Sequence, residues 1–251
     1  MTRTFLTAQW RYLAMLNYTI DPALLQPLLP RGTELDFFND TTYISIVGFR
    51  FLRTKVFGLG IPGHRDFEEV NLRFYVRRRA ADGWRRGVAF VAELVPRRAI
   101  AFVARKLYGE PYTALPMGHR IEHTASSIHV EYRWQRGGKW ESLGVLGRGQ
   151  PQPLRAGSHE EFIAEHYWGY TSRPGGGHHV PMVGEYQVEH PPWRIWSGTE
   201  SYLHADVLAL YGELFVEALS ARPASTFIAD GSAVTVRCKA DIGGPDEIKR
   251  M

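Results

Sequence analysis

The sequence has few of the features that mark secreted and membrane proteins. Its 251 residues contain one cysteine, Cys238, which excludes an internal disulfide and fits a reducing compartment. The sequence contains no run of 18 apolar residues and no charged and apolar leader with a cleavage site, so we predict neither a membrane span nor a signal peptide. We therefore expect a cytoplasmic protein without a membrane partner.

An excess of charge of one sign is also missing. The formal net charge is +4, and only five of the 30 basic residues are lysines. Arginines cluster at 77–79, 85–86 and 97–98, at the ends of predicted strands and in turns. No helix-turn-helix, zinc or RNA-binding motif accompanies these arginines, which favours solvated loops over a nucleic-acid surface. We therefore expect no nucleic-acid partner.

Glycine, proline and aromatic residues are plentiful instead. The chain has 25 glycines, 15 prolines and 13% aromatic residues, which favours a β fold with many turns. Its length and its 44% hydrophobic residues suffice for a sizeable core. Neither an internal repeat nor a linker divides the sequence, so we predict a single domain over 1–251, of the α+β class with mainly antiparallel strands. The length leaves a homo-oligomer open.

Residues 67–112 have the clearest pattern. Over 69–77 the side chains alternate between two chemically different faces, which is typical of a strand. The apolar face is Val70, Leu72, Phe74 and Val76, and the polar face is Glu69, Asn71, Arg73 and Tyr75. Residues 86–95 are apolar at nearly every position, which predicts a strand covered on both faces. A third strand is predicted over 99–107.

The polar face of the first strand has two interpretations. It is either the solvated face of an antiparallel sheet, or a polar patch in or at the mouth of a barrel. In the second case a carboxylate, Glu69, and a guanidinium, Arg73, line a small-molecule pocket. The glycine- and proline-rich loop 57–64 leads into this strand and is predicted to form a rim over its end. His64 and Asn71 are then further candidates for substrate binding.

Hydrophobic periodicity and helix-capping residues predict the remaining strands and helices. Strands are predicted over 10–20, 41–51, 183–189 and 232–239, and Asp21-Pro22 predicts the start of a short helix. Ser158 and Glu161 form a capping box that predicts a second short helix. Apolar residues at helical spacing predict one long helix over 204–219.

Metal and cofactor chemistry find little support in the sequence. His119 and His123 have the i,i+4 spacing of a helical metal site, but the segment continues as an alternating strand, where this spacing separates them by about 13 Å. The sequence has no GxSxG, GxxxxGK[ST] or HExxH motif and no GxGxxG opening a helix. We therefore expect neither a metal nor a cofactor.

Three segments carry a resemblance to a known superfamily. They are RYLAMLNYTIDPALLQPLLP at 11–30, FEEV at 67–70 and ARKLYGEPYTAL at 104–115. Together they resemble the acetoacetate decarboxylase-like superfamily, and within it a bacterial branch known as a domain of unknown function. The resemblance covers about the first 115 residues. It implies a closed or partly closed barrel with a few flanking helices.

The resemblance also assigns candidate site residues. Arg11 falls at the position of the superfamily's substrate-carboxylate arginine, and Glu69 at its active-site acid. Tyr112 falls at the position of the Schiff-base lysine, and Thr113 at the lysine next to it. A tyrosine forms no imine, and Lys106 belongs to the third predicted strand rather than to the position after the proline. The sequence therefore implies a superfamily member that lacks the Schiff-base lysine.

Three hypotheses for function follow from these residues. The first is an enzyme that acts on a small oxo or hydroxy acid by acid–base chemistry, of lyase, dehydratase or tautomerase type, with Glu69 and Tyr112 catalytic. In it, Arg11, Arg73, Asn71 and His64 bind a carboxylate-bearing molecule. The second is a binding protein with the same pocket and no turnover. The third is that Glu69 and Arg73 form a structural ion pair.

Overall fold

A computed structural model describes residues 3–107, 109–173 and 182–242, and strands dominate it. The strands are β1 (Thr4–Ile20), β2 (Glu34–Leu35), β3 (Thr42–Val56), β4 (Phe67–Ala80), β5 (Gly83–Val95), β6 (Tyr112–Ala114), β7 (Met117–His123), β8 (Ser127–Arg136), β9 (Lys139–Arg148), β10 (Gln152–Pro153), β11 (Trp168–Arg173), β12 (Met182–Glu189), β13 (Arg194–His204), β14 (Ser225–Arg237) and β15 (Ala240–Ile242). The helices are α1 (Pro22–Leu25), α2 (Arg98–Leu107), α3 (His159–Ala164), α4 (Val207–Tyr211) and α5 (Val216–Ser220). None of the described helices is both long and apolar enough to cross a membrane.

Seven of the strands form a closed ring. Their order is β12, β11, β5, β4, β3, β1 and β14, and the pairing of β14 with β12 closes the ring. Among the described strands of the ring, β11 and β5 are the one parallel pair, over 168–170 and 87–89, and the other pairs of the ring are antiparallel. The predicted α+β fold with mainly antiparallel strands is confirmed.

A second layer covers one outer face of the ring. It consists of β13, β9, β8 and β7, which follow β14 in the same sheet. The core between the layers contains the apolar face of β4 together with side chains of β8, among them Tyr132 and Trp134, both fully buried. The alternation along β4 therefore has a direct cause. Its apolar residues face this core, and its polar residues face the interior of the ring.

A close approach between the two layers depends on a glycine of β3. A Cβ atom at Gly48 would lie 2.5 Å from the Tyr132 ring, which is itself packed in the core. We predict that Gly48→Ala lowers the free energy of unfolding by about 1–3 kcal/mol, because the ring has no room to move. At Gly118 of β7 the same Cβ would meet only the flexible Arg133 side chain, at 3.1 Å. Gly118→Ala is therefore the matched control, and urea denaturation that shows equal losses for both variants would contradict the prediction.

Two sequence predictions are wrong. The third strand over 99–107 is the helix α2. The segment reads RAIAFVARKL, and its three alanines favour a helix, with a local preference that outweighs its apolar character. The long helix over 204–219 is divided into α4, a 3₁₀ turn and α5. Gly212 causes the break, because its φ of 91° lies outside the range of a helix.

Candidate active site

The interior of the ring contains a cavity of about 230 Å³. The inner faces of β1, β3, β4 and β5 supply much of its wall, and the loop before β4 supplies Ile61 and His64. The predicted rim over the end of this strand is thus confirmed. The sequence-predicted residues on the wall are Glu69, Asn71, Arg73, Tyr112 and His64. The polar residues Glu69, Asn71 and Arg73 therefore line the interior of the ring, and the interpretation as a solvated sheet face is wrong.

Strand register places polar and aromatic side chains at two levels of the wall. At the polar level, Glu69 of β4 lies opposite Phe49 of β3, and Asn71 lies opposite Glu93 of β5. Two residues before Glu69 on β4, Phe67 lies opposite Phe51, which in turn lies opposite Trp10 of β1. Because cross-strand partners share a face, these residues all point into the ring. The cavity therefore has an acidic part and an aromatic part.

Glu69 is the centre of the acidic part. Its side chain is 3% exposed. Tyr112 Oη donates to its Oε2 at 3.0 Å, and Asn71 Nδ2 donates to its Oε1 at 3.2 Å. Burial raises the pKa of Glu69 to about 8, against the two hydrogen bonds from Asn71 and Tyr112, which lower it; the negative charge of Glu110 adds to the rise. A carboxyl with this pKa exchanges protons near neutral pH.

Two further carboxyls, Glu93 and Glu110, lie on the same wall and were missed from sequence. Burial raises the pKa of Glu93 well above its usual range, and the charges of Glu110 and Glu69 raise it further. Glu93 Oε2 has no hydrogen-bond partner among the described residues, whereas Glu110 accepts a hydrogen bond from Tyr186. The signal that was available is a glutamate inside the apolar run FVAELV.

Tyr112 remains a hydrogen-bond donor throughout the physiological pH range. Burial raises the pKa of its hydroxyl well above 10, and the charges of Glu69, Glu93 and Glu110 raise it further. The tyrosine stands on β6, which pairs in parallel with β5 and places Tyr112 beside Glu93. Its hydroxyl therefore donates a proton to a hydrogen bond rather than acting as an anionic base.

Arg73 is the arginine on the cavity wall. Its guanidinium lies 5.8 Å from the centre of the Tyr75 ring, and its Nε has no hydrogen-bond partner among the described residues. No carboxylate of the described chain lies within 4 Å of it, so the predicted structural ion pair between Glu69 and Arg73 does not form. The side chain is partly exposed and free to bind an anion that enters the cavity.

Arg11 is not among the residues that line the cavity. Its guanidinium donates to the Gly231 carbonyl at 3.1 Å and to Gln9 Oε1 at 2.9 Å. Arg11 directly follows Trp10, which lines the cavity, and both residues pair with β3 in regular register, so alternation turns the Arg11 side chain to the opposite face. The structure therefore does not bring Arg11 together with Glu69 and Tyr112.

The part of the chain that the structure describes has no group of three or more His, Cys, Asp or Glu side chains that could hold a metal ion. His119 and His123 lie on the strand β7, as expected, and His119 Nδ1 is 2.6 Å from Glu68 Oε1. No lysine is among the described residues of the cavity wall, and Lys106 is exposed on α2. His64 keeps its Nδ1 at 3.0 Å from the Pro62 carbonyl oxygen.

Solved structures share this fold at low sequence identity. Acetoacetate decarboxylase of Legionella pneumophila superposes with a TM-score of 0.67 at 15% identity, over 96% of this chain and 88% of the decarboxylase. The enduracididine biosynthesis enzyme MppR, complexed with pyruvate, gives 0.69 at 13% identity, over 97% and 92%. An acetoacetate decarboxylase-like enzyme of Sphingomonas wittichii gives 0.63 at 16% identity, over 95% and 92%. The chain thus has the acetoacetate decarboxylase-like fold.

Sequence comparison identifies closer relatives. The uncharacterized protein YqjF of Bacillus subtilis is 30% identical over 138 residues, which cover 49% of this chain. The match spans 55% of YqjF, a little more than half of that protein. The model of the DUF2071 family, described as an uncharacterized conserved protein, matches residues 7–233. The chain therefore belongs to the DUF2071 family.

Proposed function

We propose that this protein is an acid–base enzyme that moves a proton at the carbon beside the carbonyl group of a small oxo acid. One observation carries the proposal. A buried carboxyl, Glu69, accepts a hydrogen bond from Tyr112 in a cavity whose wall also holds Arg73, an arginine without a carboxylate partner. These three groups are a proton acceptor, a hydrogen-bond donor for an oxyanion and a binding site for a carboxylate.

The proposed step uses each group once. Arg73 binds the substrate carboxylate, and the substrate carbonyl oxygen takes over the hydrogen bond that Tyr112 donates to Glu69. The Glu69 carboxylate removes a proton from C3 of a 2-oxo acid. The C–H electron pair forms the C2–C3 double bond, and the carbonyl π pair moves onto the oxygen, where Tyr112 stabilises it. Return of the proton to the oxygen completes a tautomerisation, and dehydration or cyclisation begins with the same proton removal.

The chemistry is proposed without a Schiff base. Tyr112 stands where the resemblance places the imine-forming lysine, and the described wall of the cavity contains no lysine. Decarboxylation needs a group that accepts the electron pair of the broken C–C bond, and neither Glu69 nor Tyr112 is one. Removal of a proton from C3 leaves an electron pair that the substrate's own C2 carbonyl accepts, and it is therefore the reaction type that these residues support best.

A second candidate function is binding without turnover. It is favoured by the fact that both oxygens of Glu69 already accept hydrogen bonds, from Asn71 and Tyr112. In that case the acidic part of the cavity only recognises a ligand. The two functions differ in one measurable respect, since the enzyme exchanges the C3 hydrogens of its substrate and the binding protein does not.

The test is exchange of C3 hydrogens for deuterium, followed by NMR in D₂O with a series of 2-oxo acids. We expect the protein to accelerate exchange over the rate without protein, and Arg73→Gln to raise KM by about 10–100-fold, because a charge-assisted hydrogen bond to the carboxylate is lost. Arg11→Gln is the matched control, since its side chain bonds to Gly231 and Gln9 outside the cavity.

The outcomes separate the hypotheses. A rise in melting temperature with an oxo acid but no exchange would support the binding protein. A large rise in KM for Arg11→Gln together with a small rise for Arg73→Gln would show that Arg11 binds the substrate carboxylate, as the sequence resemblance implies. If no oxo acid produces either a thermal shift or C3 exchange, both functions are excluded.

A further inference from the structure

The wall of the cavity holds far more aromatic surface than a three-carbon oxo acid needs. Five aromatic side chains of the wall lie in contact with one another beside the acidic part: Trp10, Phe49, Phe51, Phe67 and Trp193. Phe51 and Phe67 are stacked with ring centres 4.6 Å apart, and Trp10 meets Phe51 edge to face at 5.7 Å. The neighbouring strands β1, β3 and β4 therefore carry a continuous aromatic surface.

The distance between the two parts of the cavity suits one small molecule. Phe67 and Glu69 are two residues apart on the same face of β4, which corresponds to about 7 Å along the strand. Phe51 of β3 is the cross-strand partner of Phe67, and Trp10 of β1 is the cross-strand partner of Phe51, so the three rings lie side by side. A carboxylate and a carbonyl held by Arg73 and Tyr112 would thus place a substituent on C3 near these rings.

The volume of the cavity sets the size of that substituent. An apolar cavity of about 150 Å³ binds benzene. The cavity here has about 230 Å³, which leaves room for one six-membered ring and a short polar chain. Aromatic rings gain from edge-to-face and offset contacts with other rings in addition to the burial of their area.

From these observations we propose that the substrate is an aryl-substituted 2-oxo acid, with its acid end between Arg73, Glu69 and Tyr112 and its ring among Trp10, Phe51 and Phe67. The inference rests on the proposed function for the acid end of the molecule. It adds the substrate class, which the polar residues alone do not define.

The test compares three probes: phenylpyruvate, 4-methyl-2-oxopentanoate and pyruvate. Dissociation constants are measured by titration calorimetry, and kcat/KM is measured by C3 deuterium exchange above the rate without protein. We expect phenylpyruvate to have a dissociation constant about 30-fold lower than that of pyruvate and a kcat/KM about 30-fold higher, which is the effect of burying one phenyl group. The aliphatic acid should fall between them.

A protein variant tests where the phenyl ring of the substrate binds. Phe51→Leu should lower the ratio of kcat/KM for phenylpyruvate to kcat/KM for pyruvate by about fivefold, because one aromatic contact is lost. Phe74→Leu is the matched control, since this fully buried phenylalanine faces the core between the layers and not the cavity. It should leave the ratio between the two substrates unchanged.

The failure of this inference and that of the proposed function are distinguishable. Equal values for pyruvate and phenylpyruvate, with exchange catalysed for both, would overturn the aryl substrate and leave proton transfer intact. Tight binding of phenylpyruvate without C3 exchange would support an aryl-substituted ligand and exclude the proposed enzymatic function. An unchanged substrate ratio in Phe51→Leu would overturn the placement of the ring.

Discussion

Replacement of Glu69 by glutamine should slow C3 deuterium exchange by about 10²–10⁴-fold, the usual contribution of a positioned general base. Glutamine keeps the size of the side chain and can still accept the hydrogen bond from Tyr112, but its amide does not take up a proton at neutral pH. We therefore expect the loss in kcat, with KM changed little. Single-turnover NMR with one oxo acid measures both quantities.

The pH dependence of the wild-type rate tests the same assignment independently. Burial raises the pKa of Glu69 to about 8, so its carboxylate form is the minority at neutral pH. The exchange rate should rise about tenfold per pH unit from pH 6 to 7 and level off above pH 8, since a base acts only when deprotonated. A rate that falls between pH 7 and 9 would assign Glu69 as a general acid instead.

Glu68 provides the control for this replacement. It is the neighbouring residue on the same strand, and it points away from the cavity, where its Oε1 lies 2.6 Å from His119 Nδ1. That hydrogen bond lowers the pKa of Glu68, so the carboxylate is ionised at neutral pH. Glu68→Gln should therefore keep the wild-type exchange rate. Equal losses in Glu68→Gln and Glu69→Gln would show that the effect is structural and not catalytic.

The alternation on β4 was sufficient to predict where polar and apolar residues separate, but not which side faces water. A polar row such as Glu69, Asn71 and Arg73 is common on the solvated face of an open sheet. Here the ring closes on that side, and a second layer covers the other side. Both are long-range features, and the closing contact between β12 and β14 joins residues far apart from β4 in the sequence. Local periodicity contains no information about them.

The resemblance alone placed Arg11 in the site, and counting residues along β1 could not have tested that placement. Side-chain direction along a strand follows from counting residues only while the strand is regular. In β1 both Trp10 and Leu13 line the cavity, although they are three residues apart and would point to opposite faces in a regular strand. The shift of register between Arg11 and Ala14 explains the change of face. No turn residue in the sequence marks this irregularity.

The carboxyl groups of the cavity also lead to a prediction for stability. Burial raises the pKa values of both Glu69 and Glu93 above those of exposed glutamates, the charge of Glu110 raises both further, and the charge of Glu69 adds to the rise at Glu93. In the unfolded chain a glutamate has a pKa of about 4.3. Between that value and the folded pKa, the folded protein holds protons that the unfolded chain has already released.

The sign of the effect follows from this difference. Since the folded state binds more protons, the free energy of unfolding decreases as pH rises, by at most about 1.4 kcal/mol per pH unit for each proton. The contribution of protonated Glu69 to the free energy of unfolding is fully present below pH 4.3 and is lost as pH rises to about 8. Buried His166 acts oppositely, because burial lowers its pKa to about 4, but its contribution is complete above about pH 6.5. Among Glu69, Glu93 and His166, the glutamates therefore determine how the free energy of unfolding changes from pH 6.5 to 8.

We expect wild-type stability to decrease over this range by about 1–2 kcal/mol, and Glu69→Gln and Glu93→Gln each to reduce the slope. At pH 8 both variants should be more stable than the wild type, although each removes a residue of the proposed active site, because an amide needs no proton to stay uncharged when buried. Glu68→Gln should keep the wild-type slope, since the pKa of Glu68 is lowered and its titration lies at acid pH. Urea denaturation at pH 6.5, 7.25 and 8 measures all four proteins. A wild-type stability that does not change across these values would show that Glu69 and Glu93 are not buried together, and the acidic part of the cavity would lose its physical basis.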